Sequence, residues 1–135
     1  INFFLNNNCD LLIASRYLPD SKINNWSIQR RIFSKLANLL AKFFLRIKVS
    51  DYTNGFRIYS RAAVKTIIND CGNIGDGFIV LSEILLKIHQ SKLKIMEINS
   101  IFTNRVRGES TVNFSLILQS FFGLIKLFLI KLTKK

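Results

Sequence analysis

Soft metal ligands are nearly missing from this chain. His89 is the only histidine, and Cys9 and Cys71 are two lone thiols without metal-type spacing. Neither a zinc site nor a disulfide framework is therefore expected, and reduced, cytoplasmic chemistry is the default. Proline occurs once, at Pro19, and neither an internal repeat nor a low-complexity linker is visible. No signal peptide is visible either. Acids are the other shortage: 8 Asp and Glu stand against 20 Lys and Arg, a formal charge of +12. Such an imbalance calls for a polyanionic neighbour, whether nucleic acid, an anionic membrane surface or phosphorylated substrates.

What is present is apolar. Of 135 residues, 49% are hydrophobic and 12 are Phe, enough for a real core and too many for disorder. The length fits one domain or a piece of one. Because the chain opens at Ile1, with Ile1 to Leu5 reading as the tail of an element already under way, an N-terminal half is expected to be missing.

Taken in order, residues 9–14 form a short continuous apolar run, the pattern of a strand buried on both faces of a mostly parallel sheet. The run surfaces at Ser15-Arg16-Tyr17, where Arg16 suits either anion binding or a solvated loop. Residues 26–47 carry the longest helical pattern, capped by Asn25 or Ser27, with Ile28, Ile32, Leu36, Leu39, Leu40 and Phe43 on one side as the expected core face. Arg30, Ser34 and Asn38 share a different stripe. Six basic residues and no acid lie between Asn25 and Val49, so the helix has no internal partner for its charge. An external anion accounts for that better than an unremarkable basic surface.

The stretch Asp51-Tyr52-Thr53-Asn54-Gly55-Phe56-Arg57 organises the rest. Acid, hydroxyl and amide precede a Gly-Phe-Arg step into the apolar pair Ile58-Tyr59, a loop leading into a strand. Gly55 is expected to allow close approach of a ligand or a backbone. A plain Asx-type turn is the simpler alternative. Ser60 caps a short helix over 61–69, and a second helix covers 78–90 with Glu83 among apolar neighbours. That carboxylate reads as a partner for a buried base. His89 at the helix end is given no role. A last strand is expected over 93–102, followed by Arg105, Arg107, Gly108, Ser110 and Thr111, a plausible phosphate clamp of guanidiniums, glycine and hydroxyls.

Asn113 caps a final helix over 114–131, in which 12 of the first 17 residues are Phe, Leu or Ile. Ser115, Gln119, Gly123 and Lys126 form one narrow stripe. Spanning a bilayer needs ~20 apolar residues, and a mid-helix Lys costs roughly 2.5 to 3.5 kcal/mol, so spanning is near break-even. Lying in the membrane interface keeps Lys126 among headgroups and buries the wide apolar face, and is the expected arrangement, ahead of spanning and of packing against protein.

The ordered set of Asp10 to Tyr17, Trp26-Ser27, Arg30-Arg31, Ser34, Asn38-Leu39-Leu40, Asp51 to Arg57, Gly77-Phe78, Glu83, Glu97, Phe102, Arg105 and Gly108-Glu109-Ser110 resembles the C-terminal half of the polyprenyl-phosphate glycosyltransferases of glycosyltransferase family 2. The resemblance implies an α/β fold, a partial GT-A (Rossmann-like) domain over residues 1–112 with an amphipathic membrane-interface helix and basic tail over 113–135. It implies inverting transfer of a sugar, mannose by family lean, from a nucleotide sugar of the GDP-mannose or UDP-glucose type to a polyprenyl (dolichyl or undecaprenyl) phosphate. By position it assigns Arg16, Arg30 and Ser34 to the acceptor phosphate and Asp51 and Arg105 to the catalytic centre. Thr53, Asn54, Gly55, Arg57, Gly108 and Ser110 fall to the donor side and closing loop.

A divalent ion, Mg or Mn, is expected from the family. Its main ligands, an Asp-x-Asp motif, would precede Ile1, so no metal ligand set is assigned within these residues, and the piece alone is expected to be inactive. Two departures touch the closing region: Thr111 stands where many members have Lys, and Asn99 where many have Pro. The expected location is the cytoplasmic face of a membrane, peripheral or C-terminally anchored. The rival reading is a non-catalytic basic membrane-binding module. Nucleic acid is disfavoured, since no stacking platform or helix-turn-helix is recognisable.

Overall fold

The computed structural model describes residues 1–72, 74–75, 77–103 and 114–133, with side chains of the last helix from residue 118 onward. In chain order the elements are α1 (Asn2–Asn6), β1 (Leu11–Ser15), β2 (Lys22–Asn24), α2 (Ile28–Leu45), β3 (Arg57–Tyr59), α3 (Arg61–Asp70), α4 (Phe78–Gln90), β4 (Ile95–Asn99), β5 (Ile101–Thr103) and α5 (Phe114–Thr133). The fold is mixed α/β.

β1 lies at the centre of a three-stranded sheet ordered β3-β1-β4, and every residue of it is buried. Its pairing with β4 is parallel, with Ile13 opposite Glu97 and Ser15 opposite Asn99. Its pairing with β3 is antiparallel, with Ile13 opposite Arg57, so the sheet is mixed rather than mostly parallel. The strand expected over 93–102 is two strands. Ser100 interrupts it by donating its hydroxyl to the Ser15 carbonyl at 2.9 Å, while its N–H donates to Ser21 Oγ at 3.1 Å. The break frees β5 to pair in parallel with β2, a short strand inside what reads as loop.

Serine caps act as expected: Ser27 Oγ accepts from the Arg30 N–H and Ser60 Oγ from the Ala63 N–H. α4 instead starts at Gly77, whose φ of 79° suits a residue without Cβ.

Two faces differ from expectation. On α2, Ile28 is 79% exposed, and Ile32, Leu36, Leu39 and Phe43 are exposed too, whereas Asn38, Ala41 and Leu45 are buried. The helix is turned by its polar stripe, because Asn38 supplies hydrogen bonds that the loop after the helix requires. On α5, Gly123, Leu124 and Leu127 are buried, so the stripe expected to be polar contains part of the packing face. A Cβ on Gly123 would lie 2.6 Å from Ile79 Cγ1, so α4 and α5 meet at a distance that only glycine allows. Lys131 Nζ donates to the Leu45 carbonyl, fixing the end of α5 to the end of α2. α5 therefore packs against protein along one side, while Phe122 and Leu129 face outward. Among the described residues no helix is long and apolar enough to cross a membrane.

Candidate functional site

The loop between α2 and β3 crosses the end of the central sheet, and β4 holds it there. Glu97 accepts from the Ser50 N–H at 2.7 Å and from the Asp51 N–H at 3.0 Å. Tyr52 is wholly buried; its hydroxyl donates to the Ile47 carbonyl at 2.7 Å and accepts from the Ile47 N–H at 3.1 Å. Burial pushes the Tyr52 phenol up to about 12, against the pull of the Ile47 bond. Arg57 donates to the carbonyls of Asn54, Tyr52 and Leu81 at 2.8 to 2.9 Å, so its fork ties the loop to α4. Asn54 donates through Nδ2 to the Ala14 carbonyl.

These bonds present Asp51 to Arg16 at the end of β1. Arg16 Nε reaches Asp51 Oδ2 at 2.7 Å and Nη2 reaches Oδ1 at 2.8 Å, a two-point guanidinium–carboxylate pair. The Arg16 N–H adds 3.0 Å to Oδ2, and the N–H groups of Thr53 and Asn54 close on Oδ1 at 3.2 and 3.0 Å. Burial works to raise the Asp51 carboxyl. The Arg16 bonds and charge overcome it, and the group is held below the ordinary aspartate value.

A carboxylate so fully engaged has no free lone pair for a substrate proton. Asp51, expected at the catalytic centre, is here a positioning group for Arg16. Sequence gives no warning of that, because the 35 residues between them hide the contact.

Thr53 Oγ1 accepts from Arg16 Nη2 at 2.8 Å and from Asn38 Nδ2 at 3.1 Å. Asn38 Oδ1 in turn accepts from the Tyr52 N–H at 2.6 Å, which is why α2 turns this residue inward. One turn earlier on the same stripe, Ser34 Oγ accepts from the Tyr17 hydroxyl at 2.7 Å. Gly55 does not behave as expected: its φ is not positive, and a Cβ there would sit 4.0 Å from Leu81, an ordinary contact.

Arg16, Arg30, Ser34 and Thr53 line the mouth of one cavity of about 290 Å³ between α2, α4 and α5. Its body is apolar, formed by Leu36, Leu40, Ile79, Phe121 and Leu124 among others. The site thus joins a cationic end to a greasy one. Sequence reading brought Arg16, Arg30, Ser34 and Thr53 to this place and missed Asn38, Glu97, Tyr17 and Trp26 as parts of it. Asn38 alone left a signal, its i, i+4 spacing from Ser34.

Arg105, Gly108 and Ser110 lie outside the described residues, as do Thr111, the Asn113 cap and Lys134 and Lys135. Glu83 is buried in α4 and accepts from the Gly72 N–H at 3.2 Å. Cys9 and Cys71 are free thiols. Among the described residues no three His, Cys, Asp or Glu side chains converge as metal ligands. With Asp51 committed to Arg16, these residues do not fit a divalent-metal site.

No protein-family model matches the chain. Over 114 residues it is 30% identical to polyprenol monophosphomannose synthase of Mycolicibacterium smegmatis, covering 84% of this chain and 42% of that protein. Over 109 residues it is 33% identical to dolichol-phosphate mannosyltransferase of Pyrococcus furiosus, covering 78% of this chain and 29% of that protein. The chain spans less than half the length of the curated relatives it matches.

Proposed function

We propose, for a chain that belongs with the polyprenyl-phosphate mannosyltransferases of glycosyltransferase family 2, that it forms the acceptor-binding part of an enzyme passing a hexose, mannose for preference, from a nucleotide sugar to the phosphate of a polyprenol. The observation that carries this is the cavity with Arg16 and Arg30 at its mouth and Leu36, Leu40, Phe121 and Leu124 in its body. A phosphate monoester on a prenyl chain has the same two-part character. Its second pKa is near ~6, so at neutral pH it is already ionised and needs no strong general base.

The reaction needs the acceptor oxygen to attack the anomeric carbon while the bond to the nucleoside diphosphate breaks, with inversion. Two anions must be held together against their repulsion, and preformed guanidiniums do that without reorganising. Arg16, fixed by Asp51, and Arg30 take the acceptor phosphate, with the Ser34 hydroxyl beside them. Thr53, Asn54 and Gly55 lie on the same loop toward the donor side, and Arg105, Gly108 and Ser110 belong to the loop proposed to close over donor and acceptor. A Mg or Mn ion enters this proposal only through parts of the intact protein other than the described residues, and no step above is routed through it.

Contact with a membrane surface is part of the same reading. The outward faces of α2 and α5 put Ile28, Ile32, Leu39, Phe43, Phe122 and Leu129 on the exterior. Such residues, flanked by Lys35, Lys42 and Arg46, suit a peripheral position at the cytoplasmic face of an anionic bilayer. That surface also supports the rival, a binding module without catalysis. Transfer from GDP-mannose or UDP-glucose to polyprenyl phosphate by the intact protein separates the two. Arg30→Met is expected to cut transfer at least tenfold while leaving liposome binding in place. Undiminished transfer in that variant contradicts the acceptor site; absence of transfer from either donor favours the module.

A further inference from the structure

Trp26, the only tryptophan in the chain, precedes α2 and lines the mouth of the cavity. Its ring is buried, but not among aliphatic side chains alone. The Arg30 guanidinium carbon lies 4.6 Å from the ring centroid and the Arg16 carbon 5.1 Å from it. Phe102 meets the indole edge-on, with centroids 5.3 Å apart, and itself lies 5.9 Å from the Arg16 carbon. Tyr17 is a third ring beside Arg16, at 5.6 Å. The indole N–H is buried and finds no hydrogen-bond acceptor among the described residues. No polar anchor there holds the ring, so its place is set by Phe102 and by two cations.

We infer that Trp26 is a positioning residue that gathers the Arg16 and Arg30 guanidiniums at one mouth and thereby gives the cavity its preference for a phosphate monoester head; this rests on the acceptor-site reading above. The physical reason is repulsion. Two guanidiniums brought to one mouth without a bound anion repel each other, and Arg30 sits in the first turn of α2, where the helix dipole also disfavours a cation. The negative face of an indole is the strongest neutral counterweight among the side chains. Asp51 secures Arg16 from one side, and the ring secures it from another. For Arg30 the ring supplies an attraction that does not compete for the guanidinium N–H groups, which stay in the plane that an anion approaches. Without the indole both long side chains would have to be ordered at the moment of binding, and affinity for the anion would fall.

The test compares farnesyl phosphate with farnesol as probes, binding to the intact protein in detergent micelles. Wild type is expected to prefer the phosphate. Trp26→Leu is expected to lose affinity for farnesyl phosphate by about tenfold with farnesol binding unchanged, and Trp26→Phe, which keeps a weaker ring face, to fall between the two. Equal losses for both probes would reduce Trp26 to a core residue and overturn the inference, as would an undiminished phosphate preference in Trp26→Leu. Should Trp26→Leu fail to fold, Trp26→Phe decides: a preference unchanged from wild type overturns the inference and a partial loss supports it. A wild-type protein with no preference for phosphate over alcohol refutes the acceptor-site reading itself, before any variant is made.

Discussion

Replacing Asp51 with Asn removes the negative half of a buried two-point pair while leaving the shape almost intact. Asp51 is 0% exposed and Arg16 is 8% exposed, so the loss strands a guanidinium that water hardly reaches. Breaking a buried pair from one side costs ~3–5 kcal/mol. Here the figure falls at the lower end. The amide oxygen still accepts from the Asn54 and Thr53 N–H groups, and Arg16 keeps Thr53 Oγ1 and its aromatic neighbours.

The expected destabilisation of Asp51→Asn is therefore about 3 kcal/mol, or roughly 10 °C in Tm for a domain of this size. Urea unfolding measures it, and a cycle with Arg16→Met isolates the pair. The double variant should be more stable than the sum of the singles requires, by at least ~2 kcal/mol, because neither charge is then buried alone. Additivity within about 0.5 kcal/mol would refute the claim that Asp51 exists to hold Arg16. The pH dependence carries the same sign. A carboxyl held below its unfolded value of 3.8 contributes stability that is present above pH 3.8 and is lost as pH falls through the folded value. Asp51→Asn should flatten that acid limb.

Further outcomes follow from other contacts. The Tyr52 phenol titrates at about 12 when folded against 10.0 unfolded, so the unfolded chain binds fewer protons between those values and stability falls as pH rises. The loss across that window is about 3 kcal/mol, and Tyr52→Phe should abolish the alkaline slope in urea titrations while lowering stability at neutral pH. Gly123→Ala places a methyl where Ile79 Cγ1 stands 2.6 Å away. Overpacking of ~1–3 kcal/mol should outweigh the ~1 kcal/mol gained in helix propensity, and because Ile79 and Leu124 line the cavity, farnesyl phosphate binding should weaken with it. A more stable Gly123→Ala protein would mean that α5 is not seated as described.

The central strand, the four longer helices and both serine caps were legible because each is written locally, in an apolar run or a 3.6-residue period. β2 and β5 were not, since three-residue strands exist only through their mutual pairing and the interruption at Ser100. The face of α2 was misread for a related reason. Periodicity put Ile28, Ile32 and Phe43 inward, but the loop at 51–53 needs Asn38, and satisfying buried N–H groups outranks covering apolar side chains that have another surface to face. At the site, residue types were legible and pairings were not. Arg16 and Asp51 each stood out, yet nothing in the sequence joined them, and Glu97 and Trp26 gave no local signal of the loop and the guanidiniums they hold.

Photolabelling with a prenyl phosphate that carries a benzophenone on its chain tests the central claim most directly. If the cavity seats a lipid with its phosphate at Arg16 and Arg30, label should fall on α2 around Leu36 and Leu40 and on α5 around Phe121 and Leu124, and polyprenyl phosphate should displace it where polyprenol does not. Label scattered over the outward faces at Ile28, Phe43 and Leu129, displaced equally by phosphate and alcohol, would contradict an acceptor site and leave only a surface that lies on membranes.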